Sequence, residues 1–125
     1  VTPMAQVLIV DDSPTEAHVL KGMLEKNGFE TEIAESGIEG IERAKAFKPD
    51  LVLMDVVMPG LNGFQATRQL TKDPETSDIP VIIVTTKDQE TDRVCGLRQG
   101  ARDFLTKPVS EQRLLEKVNA VLAAA

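Results

Sequence analysis

Leu51-Val52-Leu53-Met54-Asp55-Val56-Val57-Met58-Pro59-Gly60 is the stretch on which the fold turns. Its apolar residues run on without polar alternation, a carboxylate ends the run, and the turn formers Pro59 and Gly60 follow. A strand without alternation is covered on both faces, which is how a parallel sheet between two helix layers reads. Val7-Leu8-Ile9-Val10 and Val81-Ile82-Ile83-Val84 have the same character, while Thr31-Glu32-Ile33-Ala34 and Asp103-Phe104-Leu105 are weaker strands. Helical spacing fills the intervals: Ala17, Leu20 and Leu24 share one face, as do Leu114, Val118, Val121 and Leu122. Ser13, Pro14 and Glu16 supply a cap, a first-turn proline and a capping-box acid, and Gly28 closes that helix. The pattern predicts an α/β domain with a five-stranded parallel sheet in order 2-1-3-4-5. Its crossovers are right-handed, helices cover both faces, and the polar second strand lies at an edge.

The 125 residues, 42% of them hydrophobic, suit one domain with a real core and leave no room for a second. Val1, Thr2 and Pro3 precede Met4, the expected natural start, so residues 1–3 read as a cloning remnant and the domain as residues 4–123. No apolar run approaches the ~20 residues that span a bilayer, and no secretory signal opens the chain, which predicts a cytoplasmic protein without membrane insertion. A net charge of −6 disfavours nucleic-acid partners, whose phosphates need lysine and arginine. With no Trp or Tyr and four Phe, stacking platforms for a flavin or nucleobase are few. Cys95, the one cysteine, falls in a helical pattern and is expected to be a small buried hydrophobe; His18, the one histidine, reads as a surface residue.

In an open parallel sheet, residues just past the carboxyl ends of the strands converge on one rim. Strand one delivers Asp11 and Asp12 there, strand three Asp55, strand four Thr85, and strand five Lys107 followed by Pro108. Three crowded carboxylates repel one another unless a cation holds them. An all-oxygen set without His or Cys suits a hard ion, Mg2+ where a phosphate completes the shell. Asp12 and Asp55 are the expected direct ligands, Asp11 a ligand directly or through water, and the Val57 backbone carbonyl a further one. Asp55 is the best-placed nucleophile toward phosphorus, with the metal, Lys107 and the Thr85 hydroxyl neutralising the phosphoryl oxygens. Taken singly these residues have plainer readings: helix caps for Asp11, Asp12 and Ser13, a turn starter for Asp55, surface charge for Lys107. Their joint occurrence at one rim favours function.

Val10-Asp11-Asp12-Ser13, the stretch Leu51 to Gly60 with Gly63, then Thr85, then Lys107-Pro108 resemble the receiver domain of two-component response regulators, the family that includes the chemotaxis regulator. The resemblance covers Met4 to Ala123 and implies the flavodoxin-like receiver fold. It implies Asp55 as phosphoacceptor from a phosphohistidine of a histidine kinase, Asp11 and Asp12 as the acidic pair, Thr85 as switch hydroxyl, Lys107 as phosphate contact, and a cis peptide before Pro108. The segments Gly60 to Leu70 and Thr85 to Asp92 are most similar to the twitching-motility regulators of type IV pilus chemosensory systems. Because the chain ends after its fifth helix, output is expected through a downstream protein docking on the face formed by helix four, strand five and helix five.

Three departures from the family pattern stand out. Phe104 occupies the place of the switch tyrosine and lacks its hydroxyl; Thr86 follows the switch threonine where alanine is common; and Val57 cannot orient a hydrolytic water, although Lys87 lies nearby. The last point predicts a comparatively long-lived aspartyl phosphate. Alternatives are a phosphate sink or relay intermediate and, less favoured, an aspartyl-phosphate hydrolase, which wants an acid at position 57. A flavin module is disfavoured by the acidic first loop. Self-phosphorylation and autodephosphorylation, rather than classical enzyme turnover, are the expected chemistry.

Overall fold

Successive side chains of a strand point to opposite faces of the sheet, so a strand buried on both sides must be apolar at every position. The computed structural model, which describes residues 5–86 and 90–124, shows this arrangement. Met4, the tripeptide before it and Lys87 lie outside the described residues, as do residues 88–89 of the segment resembling the pilus regulators. The elements follow in strict alternation: β1 (Gln6–Val10), α1 (Pro14–Lys26), β2 (Glu30–Ala34), α2 (Gly37–Phe47), β3 (Leu51–Asp55), α3 (Gly63–Lys72), β4 (Val81–Thr85), α4 (Glu90–Arg98), β5 (Asp103–Thr106) and α5 (Glu111–Ala124). All neighbouring strands pair in parallel, in the order β2-β1-β3-β4-β5 expected from the sequence. The polar β2 is indeed an edge strand, and β5 is the other.

Alternation along the strands divides the core in two. Val7, Ile9, Leu51, Leu53, Ile82, Val84 and Leu105 pack with Ala17, Leu20 and Leu24 of α1 and Leu114, Val118 and Val121 of α5. Leu8, Val10, Val52, Met54, Val81 and Ile83 face the other way, onto Ala44 of α2 and Ala66 and Leu70 of α3, with Phe64 and Phe104 against the margin. Every residue of β3 and β4 is buried, so the sheet centre is a fixed platform for whatever stands at its carboxyl rim.

The helix signals are made with one change of partner. Ser13 accepts from the Glu16 N–H at 3.4 Å, as a cap should. The reciprocal half of the expected capping box is absent, because the Ser13 N–H donates to Asp11 Oδ1 at 2.9 Å and leaves the Glu16 carboxylate free for another role. A complete box forms instead at α3, where Asn62 and Gln65 exchange bonds of 2.9 and 3.0 Å. Gly28, at φ 91°, closes α1, with its N–H on the Glu25 carbonyl and that of Phe29 on the Leu24 carbonyl, each at 3.1 Å. Cys95 is half-buried rather than buried, since its neighbour Gly96 is the α4 residue pressed against Phe104 and Phe64. His18 is exposed, as expected.

Gly63 fixes how closely α3 approaches the end of β3. Its N–H bonds the Val56 carbonyl at 3.0 Å, and a Cβ there would collide with the Asp55 carbonyl oxygen and stand 2.8 Å from Val56 Cα. Backbone cannot yield as a flexible side chain can, so the glycine is required for the position of Asp55. Gly22, on the exposed side of α1, has nothing within 4 Å of the same hypothetical atom. Urea unfolding should separate the two: Gly63→Ala destabilises by about 2 kcal/mol or more, whereas Gly22→Ala stabilises by about 0.5–1 kcal/mol through helix propensity.

Candidate functional site

Because the strands are parallel, their carboxyl ends share one rim. Register places the end of β1 beside that of β3 and the end of β3 beside that of β4. Asp11 follows β1 directly, its N–H bonded to the Ala34 carbonyl at 3.0 Å as if the ladder ran one residue further. Asp55 is the last residue of β3 and Thr85 the last of β4. Lys107 follows β5, held by its N–H on the Thr85 carbonyl at 2.7 Å, and the Lys107–Pro108 peptide is cis, in agreement with the resemblance. All five rim residues named from the sequence therefore gather here.

Asp11, Asp12 and Asp55 each direct a carboxylate oxygen into one cluster, these atoms lying within 4.8 Å of one another. Their surroundings differ. Asp11 is buried, with Oδ1 held by the Ser13 N–H and Oδ2 3.3 Å from Lys107 Nζ. Asp12 is exposed and engages no donor among the described residues. Asp55 is 7% exposed; its Oδ1 takes the Val56 N–H at 3.0 Å and Lys107 Nζ at 3.3 Å, which leaves Oδ2 the carboxylate oxygen that no donor engages among the described residues. With oxygen as the sole donor type, the set fits a hard divalent cation.

Burial pushes the Asp55 carboxyl up to about 6, and the charge of Asp11 pushes the same way, against the opposing pull of Lys107 and the Val56 N–H. For Lys107 burial acts downward, but the Glu16 hydrogen bond and the charges of Asp55 and Asp11 outweigh it and hold the ammonium above its ordinary value. Glu16 is the site residue that the sequence reading assigned elsewhere: its Oε2 lies 2.5 Å from Lys107 Nζ. The available signal was its place in the first turn of α1, four residues beyond Asp12, which faces the rim.

The remaining expected residues are placed as follows. Thr85 is buried at the rim and has bonded partners. Val57 lies two residues beyond Asp55 and is 71% exposed. Thr86 is exposed. Phe104 is partly buried against the second core, where its ring meets Gly96.

Known proteins resemble this chain in sequence and in backbone shape. Residues 7–119 match the response regulator receiver domain. Protein PilH of Pseudomonas aeruginosa is 70% identical over 120 residues, covering 96% of this chain and 99% of that protein. The response regulator PleD of Caulobacter vibrioides is 38% identical over 117 residues, 94% of this chain but 26% of PleD. Among solved structures, the chemotaxis protein CheY4 of Vibrio cholerae superposes with a TM-score of 0.91 at 29% identity, covering 95% of this chain and 99% of that one. The response regulator domain of Thermotoga maritima CheB does so with a TM-score of 0.87 at 33% identity, covering 97% and 98%. Among the described residues, no helix is long and apolar enough to cross a membrane. Sequence match, backbone shape and the acidic rim agree, and the chain belongs to the response regulator receiver domain family.

Proposed function

We propose that Asp55 accepts a phosphoryl group from a phosphohistidine of a histidine kinase and that the modified chain changes its contact with a downstream protein. One observation carries the reading: among the described residues Asp55 Oδ2 engages no donor, at a rim where Lys107 already stands 3.3 Å from Oδ1. In the transfer, Oδ2 attacks phosphorus as the bond from phosphorus to the imidazole nitrogen breaks, and the electron pair leaves with the imidazole. The product is a mixed anhydride.

The acidic cluster suits Mg2+, with Asp12 and Asp55 as direct ligands, Asp11 a ligand directly or through water, and the Val57 carbonyl as a further one. When bound, the ion supplies positive charge against the phosphoryl oxygens. Lys107 supplies an ammonium donor to one of those oxygens and Thr85 a hydroxyl donor to another. Thr85 and Phe104 then form the two-state element, biasing the face built from α4, β5 and α5 where the downstream protein docks. Such a chain is spent and restored rather than turning over as a classical enzyme does. The pathway we assign is type IV pilus, or twitching, signalling in the cytoplasm, a reading supported by the 70% identity to Protein PilH across nearly the whole of both chains.

Three measurements test this. Intact mass after incubation with Mg2+ and acetyl phosphate should show one added phosphoryl group on the wild type and none on Asp55→Ala. An unmodified wild type, with the kinase as well as with acetyl phosphate, would sink the proposal. Exposed Val57 offers no group to hold a water against the acyl phosphate, so Val57→Asn should shorten the phosphorylated form's half-life by roughly tenfold. An unchanged half-life would place control of hydrolysis elsewhere.

The third uses pH. The folded-state pKa of Asp55, about 6, lies above its ordinary 3.8, so the folded chain binds more protons between those values and loses stability as pH rises through them. Asp55→Asn abolishes that loss. In EDTA it should be more stable than the wild type by on the order of 2 kcal/mol at pH 8, the gain vanishing toward pH 4. A gain that is flat with pH would show that the Asp55 charge is not its source.

A further inference from the structure

Lys107 has three donor hydrogens, and three carboxylates surround its ammonium. Glu16 Oε2 is the nearest at 2.5 Å, while Asp11 Oδ2 and Asp55 Oδ1 stand at 3.3 Å. The two longer contacts go to members of the acidic cluster, and the shortest goes to a residue outside it. Nothing in the capping of α1 requires that side chain, because the Ser13 N–H it would have taken is bonded to Asp11. Lys107 is the partner that its carboxylate does have.

Position gives the pair a direction of movement. The Lys107 side chain is 11% exposed and fixed between the ends of β1, β3 and β5, whereas that of Glu16 is 47% exposed. Glu16 and Lys107 both border a cavity of about 220 Å³ whose wall also includes Val19, Pro108 and Val109. The half-exposed Glu16 carboxylate can therefore turn to solvent on leaving Lys107, whereas the Lys107 ammonium stays among the Asp11 and Asp55 carboxylates.

We propose that Glu16 is a positioning residue that draws the Lys107 ammonium off the cation-binding carboxylates and must give it up to the phosphoryl group. This rests on the reading of Asp55 as phosphoacceptor. Two equilibria then respond to the Glu16 charge with opposite sign. Without it, the ammonium settles on Asp11 and Asp55 and competes with a divalent cation for their oxygens, so cation binding weakens. Without it, too, a phosphoryl group on Asp55 meets neither a rival for Lys107 nor a nearby like charge, so the phosphorylated form is favoured. A side chain that merely supported the fold would move both equilibria together or leave both alone.

Titrations of the full chain with Mg2+, and with beryllofluoride as phosphoryl analogue at saturating Mg2+, test this on the wild type, Glu16→Gln and Glu16→Ala. Both can be followed by NMR shifts, with thermal melts to confirm folding. The expected result in each variant is a Mg2+ Kd raised by roughly threefold and a beryllofluoride Kd lowered by roughly threefold, both ratios shrinking toward one in about 1 M salt. Shifts in the same direction, or none, would overturn the role given to Glu16 while leaving Asp55 as acceptor. A wild type that binds Mg2+ but takes no beryllofluoride would overturn the acceptor reading and this inference with it.

Discussion

Asp11 and Asp55, both buried, are held with Asp12 so that their carboxylate oxygens lie within 4.8 Å. Like charges at such distances, away from bulk water, repel strongly. The structure tolerates the crowding through fixed donors: the Ser13 N–H on Asp11, the Val56 N–H on Asp55, and one ammonium between them. The balance remains negative. Asp55 still sits at about 6 because burial and Asp11 outweigh Lys107, and with Glu16 counted four carboxylates share the rim with one ammonium among the described residues. A pocket in this condition favours further positive charge, and on the proposed reading a bound cation is what makes a dianionic phosphoryl group acceptable at Asp55.

Holding repelling groups together needs a scaffold that cannot relax around them. The two half-cores supply it, since each central strand is gripped from both faces and no residue of β3 or β4 reaches solvent appreciably. Close packing resists small displacements, and Gly63 extends that rigidity to the loop after β3 by letting backbone meet backbone. Asp55 and Thr85 are thus the ends of stiff rods, and Asp11 and Lys107 follow such ends directly, tied by their N–H groups to the Ala34 and Thr85 carbonyls, which is why groups from distant parts of the sequence keep a common geometry.

Much of this was legible beforehand because it has one-dimensional signatures. Burial on both faces appears as uninterrupted apolarity in Leu51 to Met54 and Val81 to Val84, and the polar edge appears as Thr31 and Glu32. The rim follows from the topology once the strand ends are known, so Asp11, Asp55, Thr85 and Lys107 could be named before their distances were. Strand bounds differed by a residue, Asp55 and Thr85 being the last members of β3 and β4, because ladder bonding continues past the apolar run. Glu16 was assigned elsewhere for a specific reason: its spacing from Ser13 satisfies a capping box and outweighed its place one turn beyond Asp12, and only the three-dimensional competition of Asp11 for the Ser13 N–H frees it for Lys107. Cys95 likewise depended on which side of α4 meets the sheet, and the contact of Gly96 with Phe104 decides it.

The strand that Lys107 follows, β5, carries Phe104, and that strand is an edge. β5 is paired only with β4, at four register positions from Ile82–Asp103 to Thr85–Thr106, and its continuation is tied by the Lys107 N–H to the Thr85 carbonyl. A pull on the Lys107 ammonium therefore acts on an edge strand, near the carbonyl of the proposed switch threonine. Phe104 lies three residues back along it, and at Gly96 there is no Cβ to keep the ring from α4. On the proposed reading, displacement of that ring alters how α4 packs, not the hydrogen bonds on the surface, since phenylalanine has no hydroxyl to present. A partner that distinguishes the two states must then read the shape of the α4 face, and its selectivity should come from apolar fit around exposed residues such as Val94 and Leu97.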